Sequence, residues 1–153
     1  MITMKRIERY LADADAHRIA LTEAMDELAT LPLTTDGLRS ATKLQRFAME
    51  VLLFRFAKLQ DLMGSKLFRA YLEAMGFVTE EKSFFELLKE LENEGILNVD
   101  EWAYLREVRN TIAHEYPEEE EKRVEELGLL LEAVPRLFEV LDKMRERIDA
   151  VAK

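Results

Sequence analysis

The segment Arg109-Asn110-Thr111-Ile112-Ala113-His114-Glu115-Tyr116 gathers side chains that can do chemistry. A permanent cation, an amide, an imidazole and a phenol fall within eight positions. The chain has 2 histidines, and one of them stands here. An imidazole gives or takes a proton near neutral pH. A guanidinium clamps a phosphate with a forked pair of hydrogen bonds. Together they point to work on a phosphodiester, with RNA as the best substrate.

The reaction would be a transesterification at phosphorus. The ribose 2′-hydroxyl attacks, a base takes its proton, and an acid protonates the leaving 5′-oxygen. A cation stabilises the extra negative charge on phosphorus. His114 suits the base or the acid, and Arg109 suits charge stabilisation. Asn110 could orient the imidazole or the phosphate, and Tyr116 could bind substrate or stack on a base. No metal or cofactor is required, since one histidine without neighbouring ligands does not build a metal site.

Plainer roles compete with these. His114 could be a helix-end residue bonding free carbonyls. Arg109 could form a surface ion pair with Glu107 or a neighbouring helix, and Tyr116 could be a half-buried rim residue.

The elements that must position the segment read as helices. Residues 4–30 carry Ile7, Ala14, Leu21 and Leu28 seven apart, with Leu11, Ala24 and Met25 filling the stripe. Residues 31–37 form a connector. A long second helix is expected from near Leu38 to Gly76, with Leu44, Phe47, Val51, Leu52, Leu59, Leu62, Leu67 and Tyr71 as its apolar face. Gly64-Ser65 is its weak point. After a polar turn at 79–82, Ser83-Phe84-Phe85-Glu86 has the capping-box pattern, and the short helix it opens stops at Gly95. Asn98 or Asp100 can cap the next helix, which carries Trp102, Leu105, Val108 and Ile112 inward. Pro117 ends that helix and starts the last one. The last helix repeats in sevens through Val124, Leu127, Leu131, Val134, Phe138 and Leu141, with a kink expected at Pro135.

Five helical residues turn through about 500°, so Arg109 and His114 point about 140° apart. Asn110 and His114, four apart, share a face. Such a site can use looser geometry after His114, or a second copy of the chain across a two-fold axis. A second feature is Arg55, Lys58, Lys66 and Arg69, within about 60° of one direction on a continuous helix. They could guide phosphates of RNA or form an ordinary solvated face. His17 lies beside the core stripe of the first helix and reads as a packing histidine.

The bulk numbers agree with helices. The chain has 153 residues, 48% hydrophobic and 35% charged, with only 5 Gly and 3 Pro. The expected architecture is a single all-α domain over residues 1–153, an up-and-down bundle of four to five helices. There is no cysteine, which excludes disulfides and thiolate zinc sites. The charged N-terminus is no signal peptide, and no apolar run approaches the ~20 residues of a membrane span. A soluble cytoplasmic protein is expected. The net charge of -9 argues against non-specific coating of nucleic acid but leaves room for a local basic cleft.

The pattern Arg109-Asn110-(three residues)-His114-Glu115-Tyr116 resembles the Arg-x4-His-x-Tyr motif of HEPN ribonucleases, the HepT-like toxins of prokaryotic type II toxin–antitoxin pairs. The polar residue after the arginine fits as well. The resemblance implies a HEPN-like helical homodimer with its active site in the dimer cleft. It implies metal-independent endoribonuclease activity that leaves a cyclic phosphate. It further implies a nucleotidyltransferase antitoxin of the MNT type, acting by adenylylation of the motif tyrosine, here Tyr116. The rival expectation is a non-catalytic helical partner or substrate-binding protein of a nucleotidyltransferase.

Overall fold

The computed structural model describes residues 2–114 and 120–152, with side chains at 4–111 and 120–152. Helix α1 spans Ile2–Leu28. A short α2, Thr35–Arg39, follows. Helix α3, Lys43–Leu62, runs through a π-helical turn, Met63–Leu67, into α4, Phe68–Ala74. The flanking residues of the turn keep right-handed helical dihedrals, so residues 43–74 form one rod. Then come α5, Phe84–Asn93, α6, Val99–His114, and α7, Glu120–Ala152. With the rod taken as one, the described residues hold six helices and no strand. The chain is all-α, and the four to five helices expected from sequence become six because α2 stands alone.

Local chemistry explains most boundaries. Thr34 caps α2 by accepting the Gly37 amide at 2.9 Å. The long rod starts at Lys43, not near Leu38, because Thr42 and Gln45 form a reciprocal capping box there. Ser83 and Glu86 form a second one at the start of α5. Asn98 accepts the Asp100 and Glu101 amides at 2.9 and 3.2 Å and opens α6. Gly76, at φ 92°, and Gly95, at φ 76°, follow α4 and α5 in the left-handed region. At each, the next residue's amide reaches back to close the helix end: Phe77 N–H to Leu72 O and Ile96 N–H to Leu91 O, both 2.9 Å. Helix α7 runs through Pro135 without interruption.

The buried apolar side chains form one cluster. Helix α1 contributes Ile7, Leu11, Ala14, Leu21, Ala24 and Leu28, as its seven-residue pattern required. The rod contributes Ala48, Leu52, Phe56, Leu59, Met63, Leu67, Phe68 and Tyr71. In α7 Leu127, Val134 and Leu141 are buried, joined by Leu130, Leu137, Met144 and Ile148.

Part of the expected inner face of the rod points outward. Leu44 is 64% exposed, Phe47 51%, and Val51 and Phe54 are exposed beside them. The first half of α3 carries apolar residues on two faces. The face bearing Ala48, Leu52 and Phe56 is the one α1 and its neighbours cover. The spacing 44, 47, 51, 54 therefore marks a second, uncovered stripe.

Cross-helix contacts give relative directions. Arg18 with Asp142 and Asp15 with Arg145 pair rising numbers with falling ones, so α1 and α7 run antiparallel. Asp61 meets Arg109 and Phe68 meets Trp102, so the rod and α6 are antiparallel as well. No helix among the described residues is long and apolar enough to cross a membrane.

Candidate functional site

Helix α6 carries the residues singled out for chemistry. Its inner face is Trp102, Leu105 and Val108, all buried. Ile112, placed inward by the same spacing, has a side chain outside the described ones. Those contacts fix the rotation of α6 and turn Arg109 toward the end of α3. Arg109 is 24% exposed and grips Asp61 with two hydrogen bonds, Nε to Oδ1 at 3.3 Å and Nη2 to Oδ2 at 3.0 Å. The fork-to-carboxylate geometry fixes the guanidinium plane. The Asp61 carboxylate holds the Arg109 guanidinium above its ordinary pKa, chiefly by hydrogen bonding, against the opposing effect of burial. Arg106, one turn earlier, reaches the same Asp61 Oδ1 at 3.5 Å. One carboxylate therefore serves two cations.

Asp61 lies in the last turn of α3, two residues before the helix widens. The Ser65 hydroxyl donates to the Asp61 carbonyl at 2.5 Å, inside the π turn. Such back-bonding and a mid-helix glycine both loosen regular helix. The weak point read at Gly64-Ser65 thus appears as a widened turn, a device common beside functional sites.

A cavity of about 390 Å³ opens there, lined by Asp61, Gly64, Ser65, Phe84, Trp102 and Arg106. Trp102 packs edge-on against Phe68, ring centres 4.7 Å apart, and is 2% exposed. A Cβ on Gly64 would stand 3.4 Å from Trp102 Cζ2 and 3.8 Å from Phe84 Cζ. The bare glycine backbone therefore forms one wall. Trp102 Nε1 is buried without a hydrogen-bond partner among the described residues, as are both amide atoms of Gln60, the neighbour of Asp61.

Asn110 is exposed on α6. Position 114 ends the helix, but the side chain of His114 lies outside the described ones, and Tyr116 lies outside the described residues altogether. Arg109 and Asn110 are therefore the members of the motif whose side chains are placed. Along the rod, Arg55 donates to His17 Nδ1 at 3.2 Å. The acceptor nitrogen must be unprotonated, and burial, followed by Arg55, pushes the His17 pKa down. Lys58 lies over the Phe54 ring at 5.4 Å, and Lys66 is exposed within the π turn. Arg69 donates to the Thr79 carbonyl at 2.7 Å. The π turn falls between Lys58 and Arg69, so the spacing that aligned the four basic residues on a continuous helix does not carry across it. Among the described residues no three His, Cys, Asp or Glu side chains gather as metal ligands would.

Sequence reasoning missed Asp61, Arg106 and Phe84. Arg106 carries a local signal, three positions before Arg109 on one face. Asp61 carries none, because it meets Arg109 across 48 positions. Comparison with family models, curated proteins and solved structures finds no match to this chain.

Proposed function

We propose that this chain is a HEPN-type endoribonuclease, the toxin of a toxin–antitoxin pair, acting as a homodimer and silenced by an MNT-type nucleotidyltransferase. The observation that carries the reading is Arg109: a guanidinium held by Asp61, a carboxylate that lines an open cavity, on the helix that ends at position 114. In this reading His114 shuttles the proton. It takes the 2′-hydroxyl proton as the 2′-oxygen bonds to phosphorus. The bond from phosphorus to the 5′-oxygen breaks, and an acid, His114 or its twin, protonates that oxygen. The products are a cyclic phosphate and a 5′-hydroxyl. Arg109 leaves or shares Asp61 to stabilise charge on phosphorus, Asn110 orients, and Tyr116 binds substrate or takes the adenylyl group.

The uncovered stripe of α3 supports the homodimer. Leu44, Phe47, Val51 and Phe54 make an apolar ridge of the kind a second helix covers. Because α3 and α6 are antiparallel, the five residues beyond Arg109 carry α6 about 7.5 Å back along α3. That brings the end of α6 to about the level of Phe56, two residues from Phe54 at the end of the ridge. A second copy seated there would complete a cleft around position 114.

The non-catalytic partner of a nucleotidyltransferase is the second reading. Its support is that Arg109 is already occupied by Asp61 within one chain. Expression of wild type, His114→Ala and Arg109→Ala in a bacterium separates the two. Growth arrest by wild type alone, with RNA fragments ending in cyclic phosphate, is the expected result. Equal tolerance of all three would leave the adaptor.

A further inference from the structure

The cavity at the π turn has a composition that selects a ligand class. Its walls offer a flat aromatic ring, Phe84, left 41% exposed at the mouth, and the bare backbone of Gly64 in front of Trp102. Its rim carries a guanidinium, Arg106, a carboxylate, Asp61, and a hydroxyl, Ser65. An exposed phenylalanine beside an open cavity is costly in water and gains by stacking. A flat, polar-edged, anionic molecule matches every wall: its ring lies along Phe84 and Gly64, its ring N–H groups reach Asp61, and its phosphate meets Arg106. At about 390 Å³ the space lies near the lower end of the range of small-ligand sites, about 300–1,000 Å³. It admits one base with its sugar, not a folded RNA.

We infer that this cavity is a nucleobase pocket, seating one ribonucleotide of a single-stranded RNA next to the linkage that Arg109 serves. Arg106 and Arg109 share Asp61, so the phosphate held by Arg106 and the one reached by Arg109 belong to the same stretch of backbone. The inference rests on the ribonuclease reading for its substrate and adds the place where a base is held. It also makes base preference a property of Phe84, Asp61 and Ser65 and not of the Arg–His motif.

Trp102 is the chain's one tryptophan, so the pocket contains its own reporter. The full-length protein is titrated with the four ribonucleoside 3′-monophosphates while tryptophan emission is followed. Ribose 5-phosphate and N-acetylphenylalaninamide serve as controls. At least one nucleotide should change the emission saturably, and ribose 5-phosphate should not. Phe84→Ala and Arg106→Gln, both at exposed positions, should each weaken that nucleotide about tenfold, the size expected of one stacked base or one phosphate contact. No saturable response to any nucleotide, or variants that bind like wild type, would overturn the inference. Saturation by the phenylalanine amide alone would overturn it in favour of a protein side chain. Binding with no His114-dependent RNA cleavage would keep the pocket and remove the nuclease, whereas cleavage without binding would do the reverse.

Discussion

Arg18 and Arg109 each meet a carboxylate across a helix seam, yet the two seams differ in charge balance. At the α1–α7 seam two arginines face two aspartates: Arg18 binds Asp142 at 2.6 Å and Arg145 binds Asp15 at 2.8 Å. Arg18 is also stacked over Phe138, 4.6 Å from the ring centre. At the seam of α3 and α6 two arginines share one aspartate beside an open cavity. In the first arrangement two cations balance two anions, so its charges serve to register two helices. The second keeps one positive charge in excess where a ligand can enter. An ion pair is thus a poor sign of function by itself, and the ratio of cations to anions around a cavity is a better one.

The widest separation should come from cleavage. Arg109→Ala is expected to lower RNA cleavage by about a thousandfold, the scale of a lost charge-stabilising contact, while Arg18→Ala leaves it unchanged in the same gel assay. An equal loss in both would erase the distinction between the seams. Next in size is stability. Phe68→Ala should cost about 3–5 kcal/mol in urea unfolding, because it removes a fully buried ring from against Trp102. Asp61→Asn should cost no more than about 1 kcal/mol, as for other part-exposed pairs. The cavity seam is then held by packing, and its ion pair is free to serve a ligand.

A smaller contrast lies in anion affinity. Asp61→Asn should steepen the salt dependence of single-stranded RNA binding, since the cluster gains a net charge, and narrow the preference among bases, since the ring N–H groups lose their carboxylate. Asp142→Asn should do neither in a fluorescence anisotropy titration. The slightest effect belongs to His17. Its folded pKa lies below the unfolded 6.5, so the unfolded state binds more protons in that interval. Stability should fall as pH drops from about 6.5 through the folded value. His17→Gln should flatten that slope in pH-resolved thermal melts.

What the sequence disclosed was local. Ser83 with Glu86, Asn98, Gly76 and Gly95 mark helix ends through contacts three to five residues away, so their types sufficed. The looseness at Gly64-Ser65 was legible for the same reason. The start of the long rod was not, because Leu38 continued the apolar pattern and hid the Thr42–Gln45 cap. The outward ridge of Leu44, Phe47 and Val51 escaped because a helix apolar on two faces does not say which one is covered. The motif at 109–116 stood out by residue type. Asp61 could not be joined to it, since that contact exists only once the rod and α6 pack antiparallel.

A π turn contains one residue more than the α turn it replaces. The rod therefore has slack at one place, between 63 and 67. Removing Ser65 should let the backbone relax into regular helix, with Phe68, Tyr71 and Leu72 still facing inward and the cavity narrowed. Removing Lys58 instead should rotate the side chains between it and the turn by about 100°, turning the buried Leu59 and Gln60 off the core. The protein can thus lose its pocket by a single-codon deletion and keep its shape, which makes that turn the cheapest site at which such a chain could trade ligand binding for a purely structural life.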